Sequence, residues 1–209
     1  MLASDEIGRA DRFRFDRDRD QYTIARGLLR MIIAAYLGIA PRETIFQYSP
    51  NGKPALEKSP APWPLHFNVA HSGEVILLAF AWNRQIGIDV EKIRADVEVD
   101  DLAERYFSAY ERKRLRSFAR DHRQAAFFEC WARKEAVIKA TGDGLSVPLQ
   151  SFDVFSPDDR PLQLLRTETC ASPSWWIDSL AVAPGYAAAL AVEETAGSCE
   201  LQRKISLTQ

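Results

Sequence analysis

Residues 127–140 read FFECWARKEAVIKA, and this pattern predicts a helix around which the rest of the chain is organised. Five of its side chains recur at the spacing of one helical stripe: Phe128, Trp131, Ala132, Ile138 and Lys139. Such a stripe should face a hydrophobic core. Glu135 lies four residues after Trp131 and therefore falls inside the stripe. Because a bare carboxylate is unfavourable there, we expect Glu135 to be protonated, paired or bound to a cation.

Lys139 follows Glu135 by one helical turn on the same side, so both side chains reach the same neighbours. A Glu–Lys pair at the border of a core explains the pattern equally well, since such pairs are common on helices. The helix should end at residues 141–144, a glycine-rich segment that suits a left-handed cap.

The composition is that of an ordinary globular protein. Of the 209 residues, 46% are hydrophobic and 27% are charged, and the net charge is -2. This balance gives no argument for nucleic-acid or membrane-surface binding, and no apolar run is long enough to cross a bilayer. The three cysteines are scattered without a CxxC pair, which favours a reducing compartment over a disulfide framework or a zinc site. The start has no signal-peptide pattern, so we expect a cytoplasmic protein.

The predicted elements repeat in two halves. An amphipathic helix at 21–37 has an apolar side made of Ile24, Leu28, Met31, Ile32 and Ala35. Strands at 65–69, 75–82 and 85–91 follow as an antiparallel meander. Helices at 102–107, 109–119 and 122–140 then precede strands at 152–155, 175–183 and 186–193.

This order of elements predicts an α+β fold of two similar α+β halves, residues 1–100 and 101–194, packed with pseudo-twofold symmetry. The cleft between the halves is the default position for the active site. Residues 195–209 are polar and are expected to form a flexible tail.

Two carboxylates end the third predicted strand, in the sequence Gly87-Ile88-Asp89-Val90-Glu91. The twofold period of a strand puts Asp89 and Glu91 on one face. Plain solvent exposure would explain two such acids, but Glu135 adds a third carboxylate, and a divalent cation would remove their repulsion. All-oxygen ligands suit Mg²⁺ or Mn²⁺ rather than zinc. Because Mg²⁺ commonly shares its coordination shell with phosphates, the set implies a phosphorylated substrate.

Three cationic side chains are candidates for holding phosphate: Lys53, His71 and Lys139. Lys53 follows Gly52, which permits close approach, and precedes Pro54, which fixes the backbone. His71 lies just before the Ser72-Gly73 turn, where a structural role explains a lone histidine equally well.

Five motifs occur in order along the chain: Gly52-Lys53-Pro54, Phe67-Asn68-Val69-Ala70-His71-Ser72, Gly87-Ile88-Asp89-Val90-Glu91, Trp131-Ala132-Arg133-Lys134-Glu135-Ala136-Val137-Ile138-Lys139-Ala140, and Gly142-Asp143-Gly144-Leu145. In this order and spacing the chain resembles the 4′-phosphopantetheinyl transferases. It is similar to their larger, monomeric, two-half kind, the surfactin-synthetase-activating type. The resemblance runs from about residue 4 to about residue 193.

The resemblance implies an enzyme that moves the phosphopantetheine arm of coenzyme A onto a serine of an acyl or peptidyl carrier domain. Adenosine 3′,5′-bisphosphate would be released. At the matching positions, Asp89, Glu91 and Glu135 would hold Mg²⁺ against the pyrophosphate, and Glu135 would also be the base for the carrier serine. Lys139 would bind the phosphate oxygens and steady the departing group.

The resemblance also implies contacts to the nucleotide end of coenzyme A from Lys53 and His71, with His71 close to the 3′-phosphate and Ser72 nearby. By the same comparison, Arg9 and Arg26 are loosely placed candidates for the 3′-phosphate. Residues 105–123 are rich in arginine, including Arg112, Arg116 and Arg120. They form either a docking surface for an acidic carrier helix or a solvated helical face.

Two other classes of function fit the sequence less well. Another Mg²⁺-dependent phosphotransferase is disfavoured because the chain lacks the P-loop pattern. A relative that binds carrier domains without transferring anything would have no need of three converging acids beside Lys139.

Overall fold

The computed structural model of the protein describes residues 2–142, 144–155, 162–164 and 175–194. The expected tail at 195–209 lies outside these ranges. The helices are α1 (Ser4–Ala10), α2 (Asp16–Leu37), α3 (Val99–Tyr106), α4 (Ala109–Arg116) and α5 (Arg120–Thr141). Glycines with left-handed backbone angles end the two long helices, Gly38 after α2 (φ 66°) and Gly142 after α5 (φ 77°). Both predicted helix ends are confirmed.

The strands are β1 (Phe46–Tyr48), β2 (Pro54–Leu56), β3 (Leu65–Ser72), β4 (Val75–Trp82), β5 (Ile86–Lys92), β6 (Leu162–Leu164), β7 (Trp175–Ser179) and β8 (Tyr186–Glu193). All pairings are antiparallel within the described residues: β1 with β2, β3 with β4, and a sheet in the order β5-β8-β7-β6. The strands β1 and β2 were not predicted. Residues 152–155, predicted as a strand, are irregular.

The helices α2 and α5 each pack on one of the two larger sheets. Leu29 and Ile33 of α2 pack on Leu65 and Phe67 of β3. The opposite face of the β3–β4 hairpin packs on β5 and β8 through small and branched side chains: Ala70, Ala79, Ile88, Val90, Ala188 and Leu190. The far face of that second sheet packs on α5. Each half thus covers an antiparallel hairpin with one long helix, and the predicted α+β fold of two similar halves is confirmed.

The pairing of β5 corrects the predicted three-stranded meander. Its register runs from Ile86 opposite Val192 to Lys92 opposite Tyr186, so β5 belongs to the sheet of the second half. Sequence alternation could not reveal this because an edge strand next to a hairpin fits either sheet equally well. The division after residue 100 stays a prediction.

The structure buries a different side of α2 from the predicted one. Three residues of the predicted apolar side are exposed: Ile24, Leu28 and Met31. Arg26 and Arg30 lie on the buried side, where both meet Glu6 of α1; their Nε atoms are 3.0 and 2.7 Å from its carboxylate oxygens. A helical period based on apolar residues cannot identify this face, since its charges are balanced by a separate helix.

None of the helices in the described part of the chain is long and apolar enough to cross a membrane.

Candidate active site

Gly87 brings β5 unusually close to α5. A Cβ atom at this position would lie 2.0 Å from the carbonyl oxygen of Ala136 and 2.4 Å from the amide nitrogen of Ala140. Only glycine permits this approach. As a result Asp89, two residues further along the same face of β5, meets Lys139 of α5, with 2.6 Å between Oδ1 and Nζ.

Asp89 is a buried carboxylate with spare bonding capacity. It is 4% exposed, and its Oδ2 atom is buried without a hydrogen-bond partner. Burial raises the pKa of Asp89, although the Lys139 ammonium and hydrogen bonds from Lys139 and the Val90 backbone act in the opposite direction. A buried carboxylate oxygen with no partner in the protein is suited to accept a bond from a cation, a water or a ligand atom.

Glu91 and Glu135 share this electrostatic environment. Burial and then the Asp89 carboxylate raise the pKa of each, and Glu135 further raises the pKa of Glu91. Three acids, held close enough to repel one another, therefore flank one cation, Lys139. The predicted acids and Lys139 are brought together by the packing of β5 on α5.

The donor set fits a hard cation in its chemistry, since it offers carboxylate oxygens and one of them, Asp89 Oδ2, is unbonded. Within the described residues, however, no three His, Cys, Asp or Glu side chains are arranged as a ready metal site. Lys139 supplies the positive charge beside Asp89 in this conformation. Convergence of all three acids on one ion stays a prediction.

His71 and Ser72 end β3 next to this cluster. Partial desolvation, followed by the nearby Lys139 ammonium, lowers the pKa of His71. The Ser72 hydroxyl donates to Glu91 Oε2 at 3.2 Å and accepts a hydrogen bond from the Lys92 amide at 3.0 Å. Ser72 thus contacts the acid-bearing strand itself.

Lys53, in the loop between β1 and β2, contacts the last turn of α5 at Ala140, the residue after Lys139. Its Nζ donates to the carbonyl oxygen of Ala140 at 2.8 Å, and Asn51 Nδ2 donates to that of Gly142 at 3.1 Å. These contacts fix the loop between β1 and β2 against the helix end.

A cavity of about 330 Å³ opens beside this loop. Its lining includes Tyr48, Ser49, Lys53, His66, Phe67 and Gln85. Burial, followed by the Lys53 ammonium, lowers the pKa of His66, and the Glu193 carboxylate opposes this shift. His66, to which the sequence analysis gave no role, therefore lies beside the predicted phosphate-binding Lys53.

A buried ion pair that the sequence analysis missed supports the central helix. Lys134 and Glu111 are both 0% exposed, with 2.7 Å between Nζ and Oε2. Lys134 also donates to the carbonyl oxygens of Leu149 and Phe152, and Glu111 accepts from the Val154 amide. The available signal was the capping pattern Ser108-x-x-Glu111, which fixes Glu111 at the start of α4.

Cys130 lies in the same region of the core. It is 0% exposed, and burial raises the pKa of its thiol well above the ordinary value, with Glu111 acting in the same direction.

Several of the predicted arginines are engaged in contacts within the protein. Arg112 and Arg116 both pair with Glu104, and Arg123 pairs with Asp100. Of the early candidates, Arg26 is buried against Glu6, and Arg9 lies over the Tyr22 ring at 5.5 Å.

Comparison with known proteins identifies relatives along nearly the whole chain. Residues 85–191 match the model of the 4′-phosphopantetheinyl transferase superfamily, and residues 1–83 match that of the N-terminal region of 4′-phosphopantetheinyl transferase. The 4′-phosphopantetheinyl transferase HetI of Nostoc sp. is 38% identical over 191 residues, covering 91% of this chain and 78% of HetI. Sfp of Bacillus subtilis, also named a 4′-phosphopantetheinyl transferase, is 31% identical over 186 residues, covering 89% and 80%. The mouse L-aminoadipate-semialdehyde dehydrogenase-phosphopantetheinyl transferase is 31% identical over an alignment of 213 positions, gaps included. The alignment covers 94% of this chain and 69% of the mouse protein.

Proposed function

This chain belongs to the 4′-phosphopantetheinyl transferase superfamily, and we propose that the acid cluster between β5 and α5 carries out Mg²⁺-dependent transfer from coenzyme A to a carrier protein. The observation that carries the proposal is Asp89, a buried acid with one oxygen on Lys139 and the other unbonded. Burying a carboxylate with an unbonded oxygen reduces stability, and a protein that only binds a partner would have no use for it.

The carrier serine oxygen attacks the phosphorus of the phosphopantetheine arm, and the bond from that phosphorus to the bridging pyrophosphate oxygen breaks. Adenosine 3′,5′-bisphosphate leaves with the bond's electrons. Glu135, half-buried on α5, takes the serine proton directly or through water. The Lys139 ammonium binds the phosphate oxygens and stabilises the negative charge that develops on the departing group.

Asp89, Glu91 and Glu135 would hold Mg²⁺, or Mn²⁺ in its place. The ion would supply neutralisation of the pyrophosphate charge when bound. Lys53 and His71 would contact the nucleotide end of coenzyme A, with Ser72 nearby. The cavity lined by Lys53 and His66 supports binding at this side of α5.

We also propose that the enzyme acts as a cytoplasmic monomer. The scattered cysteines of the sequence support a reducing compartment.

The test measures the mass of a carrier domain after incubation with coenzyme A, Mg²⁺ and enzyme. Asp89→Asn and Glu135→Gln keep the side-chain shape but remove the charge, so transfer should fall at least about a hundredfold. Wild-type activity should vanish in excess EDTA and return with Mg²⁺. Glu129→Gln, an exposed acid on the same helix, is the matched control and should stay active. Full activity of Asp89→Asn, or undiminished wild-type activity in EDTA, would refute the assignment.

A further inference from the structure

The outer edge of β5 is satisfied by side chains instead of another strand. One edge of β5 bonds to β8, and no further strand pairs with the other edge within the part of the chain that the structure describes. There the amide of Ile88 donates to Asn68 Oδ1 at 2.9 Å, and the amide of Lys92 donates to Ser72 Oγ at 3.0 Å. Both acceptors belong to β3.

The two hydrogen bonds share one spacing. Each joins residues that are 20 positions apart in the chain, so β3 and β5 run alongside each other in a fixed parallel register. Ala70, buried between Asn68 and Ser72, leaves room for this approach. Two outward amides of β5, those of Ile88 and Lys92, are therefore satisfied by side chains of β3.

Asn68 is 6% exposed, so the hydrogen bond from the Ile88 amide to its side-chain oxygen is shielded from water. An unsatisfied buried amide is strongly unfavourable. Removing the acceptor should therefore let β5 move or admit water. The residues bonded at this edge, Ile88 and Lys92, bracket Asp89 and Glu91 in the chain, and Ser72 also donates to Glu91 Oε2. Movement of the edge would thus be passed directly to both acids.

We propose that Asn68 and Ser72 are positioning residues that fix the backbone of β5 and thereby hold Asp89 and Glu91 in place for the transfer reaction. The proposal rests on the proposed function of those acids. In this proposal Ser72 does not contact coenzyme A, because its hydroxyl donates to Glu91 and accepts from the Lys92 amide. The role of Asn68 is likewise indirect, through the strand.

The experiment compares Asn68→Ala, Ser72→Ala and Ser72→Thr with wild type by steady-state kinetics and by hydrogen exchange of the peptide covering residues 86–92. Loss of the acceptor should lower kcat about ten- to a hundredfold, as for other residues that orient functional groups. The KM for coenzyme A should barely change, while exchange at 86–92 should become faster. Ser72→Thr keeps the hydroxyl and should restore both readouts. Val69→Ala alters the neighbouring side chain on the α2 side of β3 and serves as the control with unchanged kcat.

Two results would overturn the proposal. A raised KM for coenzyme A with unchanged kcat and exchange in Ser72→Ala would identify Ser72 as a cofactor contact. Faster exchange with wild-type kcat would show that the bonds only stabilise the fold. If Asn68→Ala fails to fold, the pair Ser72→Ala and Ser72→Thr decides the matter alone. Failure of the Mg²⁺ assignment is seen separately, in the EDTA response of the wild type, and leaves both readouts interpretable.

Discussion

The proposed contact of His71 with coenzyme A can be tested by separating cofactor binding from the chemical step. It is exposed at the end of β3, and its lowered pKa reflects partial desolvation and the nearby Lys139. If His71 contacts the 3′-phosphate, His71→Ala should raise the KM for coenzyme A more than it lowers kcat. The loss should be smaller with dephospho-coenzyme A, which lacks that phosphate. His122→Ala, at an exposed position, is the control. An equal loss with both cofactors would exclude the contact.

His66 should make the stability depend on pH. Burial, and then Lys53, lowers its folded-state pKa below the ordinary value of 6.5, with Glu193 opposing. Between pH 6.5 and the lower folded-state pKa, His66 therefore binds a proton in the unfolded chain but not in the folded protein. The contribution of His66 to stability is complete above 6.5 and is lost as the pH falls through that value toward the folded-state pKa.

Denaturant unfolding of wild type and His66→Gln across pH 6.5 measures this effect. The variant should lose less stability on acidification, by at most about 1.4 kcal/mol for each unit of pKa difference. Taking the difference between the two proteins removes the contributions of the acid cluster, whose raised pKa values act with the opposite sign. Parallel pH curves for the two proteins would show that His66 titrates alike in both states.

At the scale of elements, the contact of β5 with α5 depends on Gly87. In Gly87→Ala the new methyl group would meet backbone atoms of Ala136 and Ala140, which cannot rotate away. Overpacking of this kind is destabilising by about 1–3 kcal/mol, and separation of the two elements should also lower transfer activity. Denaturant unfolding and the carrier-mass assay test both effects. Gly8→Ala, where a Cβ meets nothing within 4 Å, is the matched control. Unchanged stability in Gly87→Ala would contradict the close packing.

The elements themselves were largely predictable, whereas their packing was less so. The strands at 75–82 and 186–193 and the ends of both long helices follow from apolar runs and glycine caps. The prediction of the buried face of α2 was wrong because Arg26 and Arg30 are buried there. Their charges are balanced by Glu6 of α1, a contact that forms only in the folded structure.

The site shows the same division between local and long-range information. The strand period put Asp89 and Glu91 on one face of β5, and the helix period put Glu135 and Lys139 on one face of α5. The Asp89–Lys139 ion pair and the bond from Ile88 to Asn68 join residues far apart in the chain. Such contacts depend on how β3, β5 and α5 pack, which no local pattern encodes.

At the scale of the whole molecule, the pairing of β5 decides where the chain can be divided. A cut between residues 83 and 84 keeps β5 with its partners β8 and α5, whereas a cut between residues 100 and 101 separates them. Coexpressed fragments from the first cut should therefore recover more transfer activity than those from the second, because fewer backbone hydrogen bonds must form between chains. Purified fragment pairs, assayed at equal concentration, measure this. Better recovery from the second cut would favour the predicted boundary after residue 100.

The burial of Cys130 bears on how this protein tolerates its own proposed co-substrate. Coenzyme A ends in a thiol, and its oxidised dimer can form mixed disulfides with accessible protein thiolates. Cys130 is fully enclosed and held in the protonated form by its raised pKa, so disulfide exchange can neither reach nor activate it. The central helix can therefore lie next to a reactive thiol carrier without being modified at Cys130, and oxidation of the coenzyme pool would leave the packing around Glu111 and Lys134 intact.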